Sequence, residues 1–237
     1  MTSTWSLLLV PTLALLPAGC VRKLDPTSAA TRDSAEGKLC PAEGMISDAE
    51  ANNNQVNPIK GRGGYWYTFA DKAGSNVEPA LDKPFTMSEG GSGSTKYAAH
   101  MTGSVGAGET VYAGMGFNFV DPKALYDASK YQGVSFWAKK GPGSTGNVRL
   151  KVPDVSSDPL GKVCSDCFND FGADLTLTEE WQQFTIPLSA MKQMKGWGSP
   201  HPAGIDPSKL YGMQFQVNDK GAKFDIWVDE IQFTGCR

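Results

Sequence analysis

Trp197 stands in KGWGSPHPAG, among glycines and prolines, where a large apolar side chain has little core to enter. Its indole is expected to be an exposed, flat platform. A second aromatic group is Tyr65-Trp66-Tyr67 in GYWYTF. Successive side chains of a strand point to opposite faces, so either Tyr65 and Tyr67, or Trp66 alone, line the face turned away from the core. Gln214 and Gln216 in LYGMQFQV share one face, with Met213, Phe215 and Val217 on the other. Such an amide row suits recognition of hydroxyl groups, although a solvated outer sheet face would carry the same pattern. Arg149 in NVRLKV, Asp154 just after it and Asn118 in GFNF are candidate polar partners. The chemistry these residue types offer is binding: ring faces for flat apolar surfaces, amides and charges for hydroxyls.

Other reactive types are less informative. His100 in TKYAAHMT and His201 in SPHPAG do not form an H-E-x-x-H or other metal-ligand spacing. Trp137 in GVSFWAKK and Trp181 in EEWQQFTIPL fall within strand patterns and are expected to pack in the core. No G-x-S-x-G appears, and the Asp and Glu residues are too many for spacing alone to pick out a hydrolytic pair. Cys164-Ser-Asp-Cys167 admits three readings: a zinc half-site, a redox dithiol, or a local disulfide pinning a loop. Zinc would have to take Cys40 and Cys236, or the histidines, as its other two ligands, which does not suit a chain outside the cytosol, and the redox site lacks a βαβ setting, so the disulfide is the expectation, with Asn169-Asp170 at the rim of a binding face.

The whole chain bounds these choices. It has 237 residues, 40% hydrophobic and 20% charged, enough for one large domain with a real core. The net charge of −3 and scattered lysines exclude nucleic acid as a partner. The uncharged start MTSTWSLLLVPTLALLPAGC has an apolar run too short to cross a bilayer but suited to an export signal over 1–19. Leu16-Pro17-Ala18-Gly19-Cys20 resembles a bacterial lipobox, so Cys20 is the expected lipidation site, with residues 20–40 a polar tether and 41–237 the domain. That implies an exported lipoprotein of the bacterial envelope, periplasmic or at the cell surface, touching the membrane through its lipid alone. Four cysteines remain, which allow three pairings. A tight ring between Cys164 and Cys167 and a long staple between Cys40 and Cys236 are expected.

Eight runs rich in aromatic and β-branched residues, separated by Gly, Pro, Asn, Asp and Ser, predict strands: 64–69, 95–102, 110–120, 133–140, 147–152, 181–188, 210–217 and the terminal stretch. Residues 121–131 and 188–196 could form single helical turns. The glycine-rich loops 88–95 and 139–147 read as hairpin ends. An all-β jelly-roll sandwich of two antiparallel sheets follows. In FDIWVDEIQFTGCR the alternation of Phe224, Ile226 and Val228 breaks at Asp229, and a bulge there would return Ile231 and Phe233 to the core.

In this order, Met45–Glu50, Gly64–Asp71, Tyr126–Ser129, Gly133–Ala138, Asn147–Arg149, Trp181–Phe184 and Phe224–Asp229 resemble the galactose-binding-like β-sandwich. The similarity is to carbohydrate-binding modules of the kind attached to endoglucanases and to lipoproteins carrying one such domain. The resemblance implies a non-catalytic binder of poly- or oligosaccharide. It also implies a structural Ca2+ held by Glu50, with Asp48, and by Asp229, completed by backbone carbonyls. Two other readings stay open: an assembly domain with protein partners, as in a complex I intermediate-associated protein, and a glycan-active hydrolase.

Overall fold

The computed structural model describes Met1, residues 38–40 and residues 42–236. The signal segment 1–19, Cys20 and most of the tether lie outside the described residues. Contacts divide the chain into units 1–32 and 33–237, and everything below concerns the second.

The described residues form twelve strands, the longer ones such as β11 and β12 with clear period-two alternation: β1 (Met45–Ser47), β2 (Trp66–Ala70), β3 (Asn76–Glu78), β4 (Ser88–Glu89), β5 (Tyr97–Ser104), β6 (Ala113–Asn118), β7 (Gly133–Lys140), β8 (Asn147–Val152), β9 (Phe171–Thr176), β10 (Gln182–Pro187), β11 (Gly212–Val217) and β12 (Lys223–Thr234). Seven form one sheet in the order β10-β7-β12-β5-β3, with β1 on β12 and β4 on β5. Five form the other, β2-β6-β11-β8-β9. All pairings are antiparallel. The inner face of each sheet supplies the core: Met115, Phe117, Leu150, Met213 and Phe215 from one, Met101, Phe136, Ile226, Ile231 and Phe233 from the other. Phe136 and Phe215 meet edge to face at 5.2 Å across the gap, and Phe233 stacks on Tyr131 at 4.2 Å.

The expected bulge is present. Register shifts between Asp229 and Gln232, Glu230 takes a φ of +47°, and Ile231 and Phe233 are buried. The loop 139–147 is not a hairpin end, because β7 and β8 lie in different sheets and the chain crosses between them there. The run 188–196 holds one 3-10 turn, Leu188–Ala190, whereas 121–131 forms no helix and pairs through Tyr126 with Leu210. Cys40–Cys236 and Cys164–Cys167 are bonded, with Cα atoms 5.7 and 5.1 Å apart.

Candidate functional site

The outward residues of the five-stranded sheet form the floor of a groove of about 890 Å³. Alternation decides its content: Tyr67 and Phe69 come from β2, Arg149 and Lys151 from β8, Gln214 and Gln216 from β11. Between β2 and β11 lies β6, whose outward positions are Gly114 and Gly116. A Cβ at Gly116 would stand 2.8 Å from Gln214 Cγ, and one at Gly114 would collide with the Phe69 ring. The glycines therefore keep the floor open and let Phe69 lie across the sheet.

Loops raise the sides. On the β9 side stand Cys167, Phe168, Met194 and Trp197; before β6 stand Glu109, Thr110, Val111 and Tyr112. Trp197 is 40% exposed and Phe168 60% exposed, so both rings offer apolar surface to a ligand. Tyr112 and Phe69 approach with centroids 6.2 Å apart. The backbone N–H of Tyr112 donates to Asp71 Oδ2 at 2.7 Å, which ties this loop to the end of β2.

The polar floor is arranged by its own contacts. Lys151 Nζ donates to Gln216 Oε1 at 3.2 Å and pairs with Asp170 at 3.1 Å. An ammonium can only donate, so the Gln216 amide nitrogen is turned to donate elsewhere. Gln214 Nε2 donates to the Tyr67 hydroxyl at 3.0 Å, leaving its own oxygen as an acceptor. Burial pushes the Tyr67 phenol up to about 12, against the hydrogen bond from Gln214, so it stays neutral through the physiological range. Burial also raises the Asp170 carboxyl, opposed by Lys151 and by the Ser157 hydroxyl at 2.6 Å. Arg149 donates to Asp174 at 2.7 Å and to the Lys192 carbonyl at 2.6 Å. Opposite charges thus sit in pairs at the floor, beside one donor and one acceptor amide group.

Of the expected site residues, Trp197, Tyr67, Arg149, Gln214 and Gln216 come together here. Tyr65 is exposed but does not line the groove. Two expectations are corrected. Trp66 is buried, stacked on Phe85 at 5.3 Å and tilted against Phe117 at 4.9 Å, because the alternation of β2 turns it inward when Tyr67 faces out. Asp154 is also buried; its Oδ1 accepts from the Ser156 N–H and hydroxyl, and its Oδ2 from the Asp206 N–H, so it braces loops. Phe168, Met194, Phe69 and Tyr112 were not anticipated. Phe69 shares the parity of Tyr67, a signal that could have found it.

Trp137 and Trp181 are half-buried on the outer face of the seven-stranded sheet rather than in the core. There Lys139 Nζ sits 5.0 Å from the Trp181 ring and 5.2 Å from that of Trp227. His100 stacks on Trp227 at 3.6 Å, and Asp225 accepts from Trp227 Nε1 at 2.7 Å and bonds His100 Nε2 at 2.9 Å. The Trp227 ring is thus engaged by both His100 and Lys139.

At the other end of the strands, Asp229 is buried beneath the β4–β5 loop and accepts from Ser92 N–H at 2.8 Å and the Thr95 hydroxyl at 2.6 Å. Glu50 accepts from the next two N–H groups, Lys96 and Tyr97, each at 2.8 Å. Asp48 accepts from Glu50 N–H at 3.3 Å. Burial raises the Asp229 carboxyl, while the donors Thr95, Ser92 and Glu230 N–H oppose it.

Residues 61–235, from just before β2 to the end of β12 and including every groove residue, match the family model of carbohydrate binding domain 30. The chain belongs to that family. As a carbohydrate-binding domain it binds carbohydrate without transforming it. Among solved structures it is similar to the family 11 carbohydrate-binding module of the cellulosomal cellulase Lic26A-Cel5E of Clostridium thermocellum, at 18% identity and a TM-score of 0.54, over 81% of this chain and 94% of that one. It is also similar to a family 11 module from Clostridium thermocellum in complex with a β-1,3-1,4-mixed-linked tetrasaccharide, at 16% identity and a TM-score of 0.53, over 78% and 96%. No curated protein matches. These likenesses share the domain-30 chain's β-sandwich fold.

Proposed function

We propose that the groove takes an uncharged, β-linked oligosaccharide or an internal stretch of a polysaccharide, and that the whole chain is non-catalytic. The observation that carries this is the open floor where Gln214 and Gln216 lie between the rings of Tyr67 and Phe69 and the Trp197 and Phe168 side. Ring faces suit the apolar faces of a sugar, and amides its hydroxyls. Paired floor charges favour a neutral ligand over a uronate. Two of the groove carboxylates have other duties: Asp170 is held by Lys151 and Ser157, and Asp166 accepts from Gly198 N–H at 2.8 Å. The β-1,3-1,4-mixed-linked tetrasaccharide bound by the similar family 11 module is the probe of choice. In titration calorimetry Trp197→Ala should weaken its binding by roughly thirtyfold, the scale of an aromatic anchor worth about 2 kcal/mol. Gln216→Ala should cost about fivefold, the scale of one hydrogen bond. Unchanged affinity in both variants would move the site elsewhere, and release of reducing ends by the wild type would overturn the non-catalytic reading.

The proposal includes Ca2+ at Glu50 and Asp229, whose carboxylates converge on neighbouring residues of one loop. Among the described residues no three acidic, histidine or cysteine side chains group as a ligand set, so loop carbonyls would complete the shell. A raised Asp229 means that its contribution to stability is present below the unfolded value and is lost as pH rises through the folded one. A cation favours the ionised form, so its benefit grows with pH. At pH 7 a saturating excess of Ca2+ is expected to raise Tm by about 5 °C or more, and Asp229→Asn to abolish the rise. No shift in the wild type removes the ion.

The domain is further proposed to be anchored to the bacterial envelope through lipidated Cys20. Detergent-phase partitioning of the full chain expressed in a Gram-negative host should be lost in Cys20→Ala; a wild type left in the aqueous phase would refute the anchor.

A further inference from the structure

The indole of Trp197 is carried by a loop with little regular structure of its own, so something else must hold it still. Gly196 and Gly198 on either side have φ of +89° and +85°, which free the loop from the usual side-chain restraints. Beneath the loop lies Asn169, 2% exposed, two residues before β9. Its Nδ2 donates to the carbonyls of Met194 at 2.9 Å and Trp197 at 2.6 Å, and its Oδ1 accepts from Met194 N–H at 2.9 Å. One amide thus uses both donors and its acceptor on the backbone that bears two groove residues. A Cβ at Gly198 would stand 2.5 Å from Asn169 Cβ, so the glycine is what lets the loop close on this side chain.

The loop is held on its other side by Asp166. Asp166 and Ser199 form an isolated antiparallel bridge, and Asp166 Oδ2 accepts from Gly198 N–H at 2.8 Å. Asp166 lies within the ring closed by Cys164 and Cys167. Phe168, just beyond the ring, takes a φ of +73°, a backbone region that a large side chain occupies only where its surroundings impose it, and its N–H donates to Ser157 O at 2.8 Å.

We propose that Asn169 is the positioning residue of the groove: it sets the Trp197 wall, and ligand affinity depends on Asn169 through Trp197. The inference rests on the groove being the carbohydrate site. A loop free to move must be ordered when the sugar binds, and that entropy is subtracted from affinity; a loop whose backbone is already held by Asn169 carries the indole from a fixed position.

A double-mutant cycle on the full domain, read by calorimetry with the β-1,3-1,4-mixed-linked tetrasaccharide, tests it. Asn169→Ala is expected to weaken binding about tenfold in the wild-type background and by less than about twofold when Trp197 is already alanine. Equal losses in both backgrounds would reduce Asn169 to a general structural residue, and no loss in the wild-type background would also overturn the proposal. If Trp197→Ala and Gln216→Ala both leave affinity unchanged, the site assignment itself fails; if Gln216→Ala weakens binding and Trp197→Ala does not, the site stands and the positioning role alone is overturned. Asp166→Ala, which removes an exposed carboxylate from the same clamp, is expected to give the same pattern at about threefold and serves where Asn169→Ala does not fold. Equal Asp166→Ala losses in the two backgrounds would overturn the proposal in the same way.

Discussion

Trp66→Ala is expected to lower the unfolding free energy by about 3–5 kcal/mol while leaving glycan affinity near that of the wild type at temperatures where the variant is folded. The indole is 2% exposed, stacks on Phe85, lies tilted against Phe117, and donates from Nε1 to Ser47 Oγ at 3.3 Å. Ser47 belongs to β1 and Trp66 to β2, so the side chain spans the gap between the two sheets. Truncation leaves a cavity that surrounding strands cannot collapse to fill, and it strands a hydroxyl partner. For a domain of this size the loss corresponds to a fall in Tm of roughly 10 °C. Urea unfolding followed by fluorescence, together with calorimetric titration of the tetrasaccharide, gives both readings. A variant that keeps its stability but loses the ligand would return Trp66 to the binding surface.

Replacing Cys40 and Cys236 together by alanine is expected to be as costly. The two are separated by 196 residues, and chain-entropy arithmetic for a closed loop of that length gives about 5 kcal/mol. The staple does not act alone: Leu39 bridges Thr234, and Gly235 N–H donates to Lys38 O at 2.7 Å, so the first described residues pair with the end of β12. β12 is the central strand between β7 and β5, and freeing its end exposes the ladder on which the seven-stranded sheet is built. Thermal unfolding of the double variant should fall by 10 °C or more, with the Cys164–Cys167 pair intact. A change of only a degree or two would show that the strand pairing holds this edge without the disulfide. The Cys164–Cys167 bond closes only a three-residue separation, so its removal should cost far less stability, its effect falling on the groove wall.

The legible parts of the fold are those where a local period reports on burial. β7 and β8 occupy the expected 133–140 and 147–152, and the phase break at Asp229 became a bulge with Ile231 and Phe233 inside. Strands β1, β3 and β4, of two or three residues each, are too short to show a period. β9 was missed for another reason: Phe171–Thr176 contains Gly172 and Asp174 and follows Asn169-Asp170, so its composition reads as a turn. Only pairing with β8 makes it a strand. The loop 139–147 likewise looks like a hairpin end from its glycines, whereas the sheet assignment of β8 makes it a crossover.

The candidate site divides in the same way. The shared face of Gln214 and Gln216, the two-way choice between Trp66 and its flanking tyrosines, and the cysteine pairing were fixed by parity, loop composition and arithmetic on the chain. The tertiary structure decided which member of each alternative won. Trp66 went inward because β1 and the core aromatics lie on that side of β2, and Asp154 was drawn under a loop by Ser156 and Asp206. Phe168, Tyr112, Met194 and Asn169 sit on loops, where no period exists to reveal direction, and their places depend on contacts with residues far along the chain. Sequence by itself therefore determined the sandwich and the kinds of side chain available for a sugar. Tertiary packing alone decided which of them face one groove, because only packing sets where loops from distant parts of the chain meet.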